Sequence, residues 1–212
     1  MISRSKRFIF VHIYKTAGTS VRSALVEHVE EDSQVVKLCN RVTYKLAGKP
    51  AIKPKELAWK HAGAGEYLAL MGEENFRQFF KFSIVRNPFD WQVSLYEYIR
   101  QSPGHHLHNF ALAVDFLSFL RSGVGETTKP QASFLTSRNG ELLVDFVGKF
   151  ESLDKDFSKI CEKIGAHGKL EHLNASTRSN LPEYYASPEA IDIVLENFHR
   201  DFNLFGYPKS LP

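Results

Sequence analysis

Six consecutive residues, Lys15-Thr16-Ala17-Gly18-Thr19-Ser20, bring together an ammonium, hydroxyls and a glycine. That set suits an anion. The stretch follows an apolar run of strand character, Arg7-Phe8-Ile9-Phe10-Val11-His12-Ile13, and opens a helix-like run, Val21 to His28. The first backbone N–H groups of a helix have no intrahelical acceptor, and the helix dipole favours negative charge beside them. Lys15 adds a full positive charge, and Thr16, Thr19 and Ser20 add hydroxyl donors. A phosphate or sulfate group fits this composition. Read alone, the same residues also describe an ordinary strand-to-helix turn with Thr and Ser caps.

The order is not that of the nucleotide P-loop, in which Gly, four residues and Gly-Lys-Ser/Thr follow one another. No glycine precedes Lys15, and Lys15 stands before Gly18 rather than after it. The hydroxyl that would ligate Mg²⁺ has no obvious equivalent.

A second group of residues lies some 70 positions on, in Phe82-Ser83-Ile84-Val85-Arg86-Asn87-Pro88-Phe89-Asp90-Trp91-Gln92-Val93-Ser94. Arg86 leaves a buried strand directly into a helix start, and Ser94 sits two turns along that helix. A guanidinium fork makes two parallel charge-assisted bonds to a phosphate. Ligands of parallel α/β sheets bind beyond the C-terminal ends of the strands, so Lys15 and Arg86 are expected in one cleft. The alternative is an Arg that pairs at a helix start and a Ser that merely lies on the helix.

The two motifs in this order resemble the PAPS-dependent sulfotransferases, closest to the carbohydrate type with His-Ile-Pro-Lys-Thr-Ala-Gly-Thr-Ser. The resemblance implies that residues 15–20 hold the 5′-phosphosulfate of 3′-phosphoadenosine 5′-phosphosulfate (PAPS). It also implies that Arg86 and Ser94, at the family's eight-residue spacing, hold the 3′-phosphate. Arg178, in Asn174-Ala175-Ser176-Thr177-Arg178, resembles a position that closes over the nucleotide; the other reading is an exposed loop Arg. Two residues depart from the pattern. Tyr14 replaces a Pro that would stiffen the loop, and Trp91 stands where related members often carry Arg. The stretches Val144 to Leu153 and Asp201 to Tyr207 also resemble the family, which carries the likeness over nearly the whole chain.

Sulfuryl transfer needs an acceptor hydroxyl in line with the leaving phosphate oxygen, and a base for its proton. Lys15 is placed to stabilise the leaving oxygen. Among the nine histidines, His61 follows an extended segment and precedes the small-residue turn Ala62-Gly63-Ala64-Gly65, on the edge expected for Lys15 and Arg86. Lys60-His61-Ala62 resembles the base position of uronyl-type sulfotransferases, so His61 is assigned as the base, with Glu66 in reserve. The competing reading is a His that caps the following helix. His12 reads as structural. His105, His106 and His108 form a loop cluster that suits an acceptor contact better than a metal, and no metal ligand set is expected.

The elements that must position these residues read as β–α repeats. Strands are expected at Phe8–Ile13, Lys81–Val85 and Leu142–Phe146, with a short one possible at Val35–Leu38. Helices are expected at Thr19–Glu31, Ala64–Met71, Pro88–Gln101, Phe110–Ser122, Ser152–Ile164 and, last, Ser187–Phe198. Asn75–Phe80 reads as a linker, and Lys45–Lys55, Ser102–Asn109 and His167–Ala186 as loops. The class is α/β, with a P-loop-NTPase-like core whose mostly parallel sheet is flanked by helices, in one domain over residues 1–212.

A net charge of +3, from 27 basic and 24 acidic residues, is too mild to argue for nucleic acid. Two cysteines far apart, Cys39 and Cys161, suit free thiols in a reducing compartment. No apolar run is long enough to span a bilayer, and the first strand follows the start at once. Animal members of the resembled family carry a membrane anchor, so a cytoplasmic, bacterial enzyme is expected here. The expected partner is a hydroxylated, carbohydrate-like acceptor. Two alternatives stay open: a P-loop kinase or hydrolase, with Leu142-Leu143-Val144-Asp145 as its Mg²⁺-assisting strand, and a non-catalytic nucleotide-binding protein.

Overall fold

The computed structural model describes residues 1–29, 61–124, 129–170 and 180–212. Its centre is a sheet in the order β1 (Ile2–Ser3), β2 (Phe8–Val11), β3 (Phe80–Val85), β4 (Phe146–Lys149). β1 runs antiparallel to β2, and the other pairings are parallel. The α/β architecture with a mostly parallel sheet is therefore as expected.

Both faces of this sheet are covered, which is why its strands read as continuous apolar runs. Side chains alternate along a strand. Ile9 and Val11 enter one core cluster, while Phe8 and Phe10 enter the other. On the second face lie α1 (Gly18–Ala24), through Val21, and α8 (Leu153–Ile164), through Phe157, Ile160 and Ile164. The larger first cluster takes in α2 (Ala64–Met71), α3 (Glu73–Arg77) and α4 (Pro88–Arg100). It also takes in α5 (His108–Ala113), α6 (Phe116–Arg121), α7 (Ala132–Leu135), α9 (Leu181–Tyr184), α10 (Pro188–Asn197) and α11 (His199–Phe205).

α4 starts where its sequence says it should. The Asn87 side chain accepts the Phe89 N–H at 3.0 Å, and Pro88 takes the first helical position, where its missing N–H is harmless.

Several expected elements shift. The first helix ends at Ala24, because Leu25 leaves helical geometry to bury its side chain; a short 3₁₀ turn, Val26–His28, follows. The helix expected over Phe110–Ser122 is two helices, α5 and α6. Val114 is extended, and Asp115 accepts the Ser118 N–H at 2.7 Å as the cap of the second. The strand expected at Leu142–Phe146 begins instead at Phe146, opposite Phe82, while Leu142 makes only a bridge to Thr136. Of the expected linker Asn75–Phe80, residues 75–77 are the end of helix α3, and Phe80 already belongs to β3. The chain bends at Phe198 and continues into α11, so the helix ending there is not the last. Val35–Leu38, Lys45–Lys55 and Arg178 lie outside the described residues.

Candidate active site

The loop between β2 and α1 has an unusual backbone. Lys15 and Ala17 adopt positive φ, 61° and 63°, and Thr16 between them does not. Such left-handed residues are disfavoured by their Cβ atoms. Alternating handedness turns successive N–H groups into one concavity, the geometry of an anion nest. The Thr16 hydroxyl donates to the Ile13 carbonyl at 2.9 Å and ties the loop to the strand end. Gly18 is required by a neighbour: a Cβ there would lie 1.8 Å from Cδ2 and Nε2 of His12. Ser20 is buried in α1, and Thr19 is exposed.

Arg86 meets this loop directly. Its Nη1 donates to the Lys15 carbonyl at 3.1 Å, its Nε donates to Asp90, and its guanidinium lies 4.0 Å over the Phe150 ring. Arg86 and the Lys15 loop, both just beyond strand ends, are thus in contact. Asp90, Ser94 and Tyr98 follow one another at four-residue intervals and form a stripe on one face of α4. Arg86 binds the first of them. The Lys15 ammonium sits 4.3 Å over the ring of the last, Tyr98. Ser94, only 2% exposed, lies between. The Lys15 main chain is therefore held at one end of the stripe and its side chain reaches the other.

His61 stands beside the loop. Its Nδ1 lies 3.1 Å from the His12 carbonyl, its ring is 4.6 Å from that of His12 and 5.9 Å from that of Tyr14. A carbonyl only accepts, so the proton resides on Nδ1 and Nε2 is the basic nitrogen. The helix-capping role belongs to other residues: Gly63 donates its N–H to Glu66 Oε2 at 2.7 Å at the start of α2. Glu66 is thereby engaged in its own helix.

Asp145 is at the wrong edge for Mg²⁺ assistance. It precedes β4 and pairs with Lys81 at 2.8 Å, at the start of β3, whereas Lys15 and Arg86 follow the strand ends. The histidine loop is locally engaged: His105 and His106 stack at 4.6 Å, and His105 packs edge-on to Tyr98. His108 Nδ1 donates to the Ile99 carbonyl at 3.0 Å. Among the described residues no three His, Cys, Asp or Glu side chains form a group suited to a metal ion. No helix among them is long and apolar enough to cross a membrane.

Compared with known proteins, the chain matches the sequence model of the Sulfotransferase family over residues 1–208. The chain belongs to the Sulfotransferase family. It is also 30% identical over 113 residues to an uncharacterized protein of Archaeoglobus fulgidus, covering 52% of this chain and 88% of that one. No solved structure gives a significant match.

The later stretches of this sulfotransferase converge on the Arg86 turn. Glu151 accepts the Asn87 N–H at 2.6 Å and the Tyr207 hydroxyl at 3.0 Å. Burial, then the adjacent Glu151 carboxylate, push the Tyr207 phenol far above its usual range. Gln131 brackets the Arg86 peptide, and Asp201 holds Gln131. Sequence reasoning gave no site role to Tyr98 and Gln131, nor to Glu151, Asp201 and Tyr207, which it noted only within family-like stretches. Only the resemblance of the stretches around 151 and 201 hinted at them.

Proposed function

We propose that this sulfotransferase moves the sulfuryl group of PAPS to a hydroxyl of a carbohydrate-like acceptor and releases adenosine 3′,5′-bisphosphate (PAP). The observation that carries the proposal is the contact between Arg86 and the Lys15 loop. It gives one crevice two cationic centres, as a nucleotide with two separated anionic groups requires. The donor set fits such a ligand: a positive-φ loop with Lys15, Thr16, Ala17, Gly18, Thr19 and Ser20, and then Arg86 and Ser94 along α4.

In this reading the loop N–H groups and the Lys15 ammonium take up charge on the leaving 5′-phosphate oxygen. Lys15 must leave the Tyr98 ring to do so, a contact worth about 0.5–1 kcal/mol at an exposed site. Arg86 and Ser94 bind the 3′-phosphate, and Arg178 closes over the nucleotide. His61 Nε2 accepts the acceptor's hydroxyl proton as the new O–S bond forms and the bond to the phosphate oxygen breaks. The His12 carbonyl holds Nδ1–H and so stabilises the imidazolium that results. The position of Asp145 speaks against the kinase alternative.

Thermal shifts with PAP and with ATP plus Mg²⁺ separate the readings. Ligand at about 100 times its dissociation constant stabilises by roughly 2.7 kcal/mol. For a chain of this length that is about 5–10 °C. A shift with ATP–Mg²⁺ and none with PAP overturns the proposal.

A further inference from the structure

We infer that Gln131 and Asp201 are positioning residues that set the grip of Arg86 on the 3′-phosphate. The inference rests on the sulfotransferase reading above.

β3 ends at Val85, so the peptide of Arg86 lies just beyond the ladder. A side-chain amide takes over there. The Arg86 N–H donates to Gln131 Oε1 at 2.9 Å, and Gln131 Nε2 donates to the Arg86 carbonyl at 2.8 Å. Gln131 therefore treats Arg86 as a neighbouring strand would. Its own position is dictated from α11. The Gln131 N–H donates to Asp201 Oδ2 and the Ala132 N–H to Asp201 Oδ1, both at 2.8 Å. Gln131 and Asp201 are each 0% exposed, so water does not compete for these bonds.

The consequence for binding is geometric. Bidentate recognition of a phosphate tolerates errors of only about 0.5 Å. Asp90 and Phe150 orient the guanidinium, but the point from which the side chain departs is the Arg86 peptide. Both ends of the Gln131 amide are committed to the Arg86 main chain. Without its amide, two buried main-chain groups lose their partners and the Arg86 peptide shifts to find others.

A merely structural role at the start of α7 would affect all ligands alike; a positioning role shows in the 3′-phosphate alone. The test is calorimetric titration of the wild type, Gln131→Met and Asp201→Asn with PAP and with adenosine 5′-monophosphate, which lacks the 3′-phosphate. Circular dichroism at the assay temperature verifies folding. Gln131→Met should bind PAP about tenfold more weakly and the monophosphate within about twofold of wild type. Asp201→Asn, which keeps shape and one acceptor, should fall in between. In an Arg86→Ala background, Gln131→Met should change PAP affinity no further. Parallel losses for both nucleotides, unchanged PAP affinity in the folded variants, or additivity with Arg86→Ala would each overturn the inference. Should Gln131→Met not fold, the same comparison is made on Asp201→Asn. Failure of the wild type to bind PAP would instead refute the sulfotransferase reading of the site, and the inference with it.

Discussion

Trp91 donates its indole N–H to the Tyr14 carbonyl at 2.7 Å while the two rings stack at 4.9 Å. These are the two positions where the motifs depart from the related pattern of Pro and Arg. They are partners. A Pro would stiffen the approach to the loop covalently; here a buried aromatic from α4 holds the same backbone through one hydrogen bond and one stack. Phe134 and His61 pack edge-on against the same Tyr14 ring, at 5.9 Å each. Tyr14 thus joins the anion loop to the proposed base.

The pair should behave as a unit. Trp91→Phe keeps a ring but leaves the Tyr14 carbonyl without the indole N–H, and should cost about 1–3 kcal/mol. Trp91→Arg and Tyr14→Pro, singly, should each destabilise. Together they should cost less than the sum of the two, by roughly 0.5 kcal/mol or more. Urea unfolding of the four chains measures this; strict additivity would refute the coupling.

Removing the proposed base should spare binding. His61→Ala is expected to keep its thermal shift with PAP and to lose roughly 10²–10⁴-fold in kcat. Turnover of the variant at the wild-type rate would place the base elsewhere. A wild type that binds PAP but sulfates no hydroxylated glycoside would favour the non-catalytic alternative.

Gly18→Ala should be poorly tolerated, since the new methyl would overlap the His12 ring. Overpacking of this kind costs about 1–3 kcal/mol. Because the displaced groups form the loop, PAP affinity should fall as well. The double change His12→Ala with Gly18→Ala removes the obstruction and should recover part of the stability; no recovery would show that the clash is not with His12.

Asp201 should make stability depend on pH. Burial raises its carboxyl to about 6, although the Ala132 and Gln131 N–H groups pull the other way. The folded state therefore holds the proton more tightly than the unfolded chain, whose Asp titrates near 3.9. Its contribution is fully present below about pH 4 and is lost as pH rises through about 6. The difference is on the order of 3 kcal/mol. Asp201→Asn should flatten the slope between pH 4 and 6 in denaturant titrations. An unchanged slope would assign that dependence to other groups.

What was legible in the sequence is local. The β2–loop–α1 unit and the β3–Arg86–α4 unit each carry their signal within a few residues: apolar strand, punctuation, cap. Asp115, inside an apolar run, caps α6 and marks the break from α5, which the expectation of one helix over Phe110–Ser122 overlooked. Apolarity alone could not show that β4 starts at Phe146, because register is set by the strand it joins. Gln131, Glu151 and Tyr207 were out of reach for another reason. Their bonds join residues 45, 64 and 56 positions apart, and no local pattern records such a pairing. Tyr98 sits on the same helical stripe as Ser94, so the four-residue spacing from Asp90 could have revealed it.

The partners of the Arg86 turn also impose an order of assembly. The Lys15 loop and Arg86 itself are synthesised early, but Gln131, Glu151, Asp201 and Tyr207 arrive afterwards. A nascent chain that has just made α4 has both cations and Asp90 to pair with the guanidinium, but not yet the residues that bond to the main chain of the Arg86 turn. The residues proposed to bind anions are encoded first, and the bonds that hold the Arg86 turn are complete only once α11 is in place.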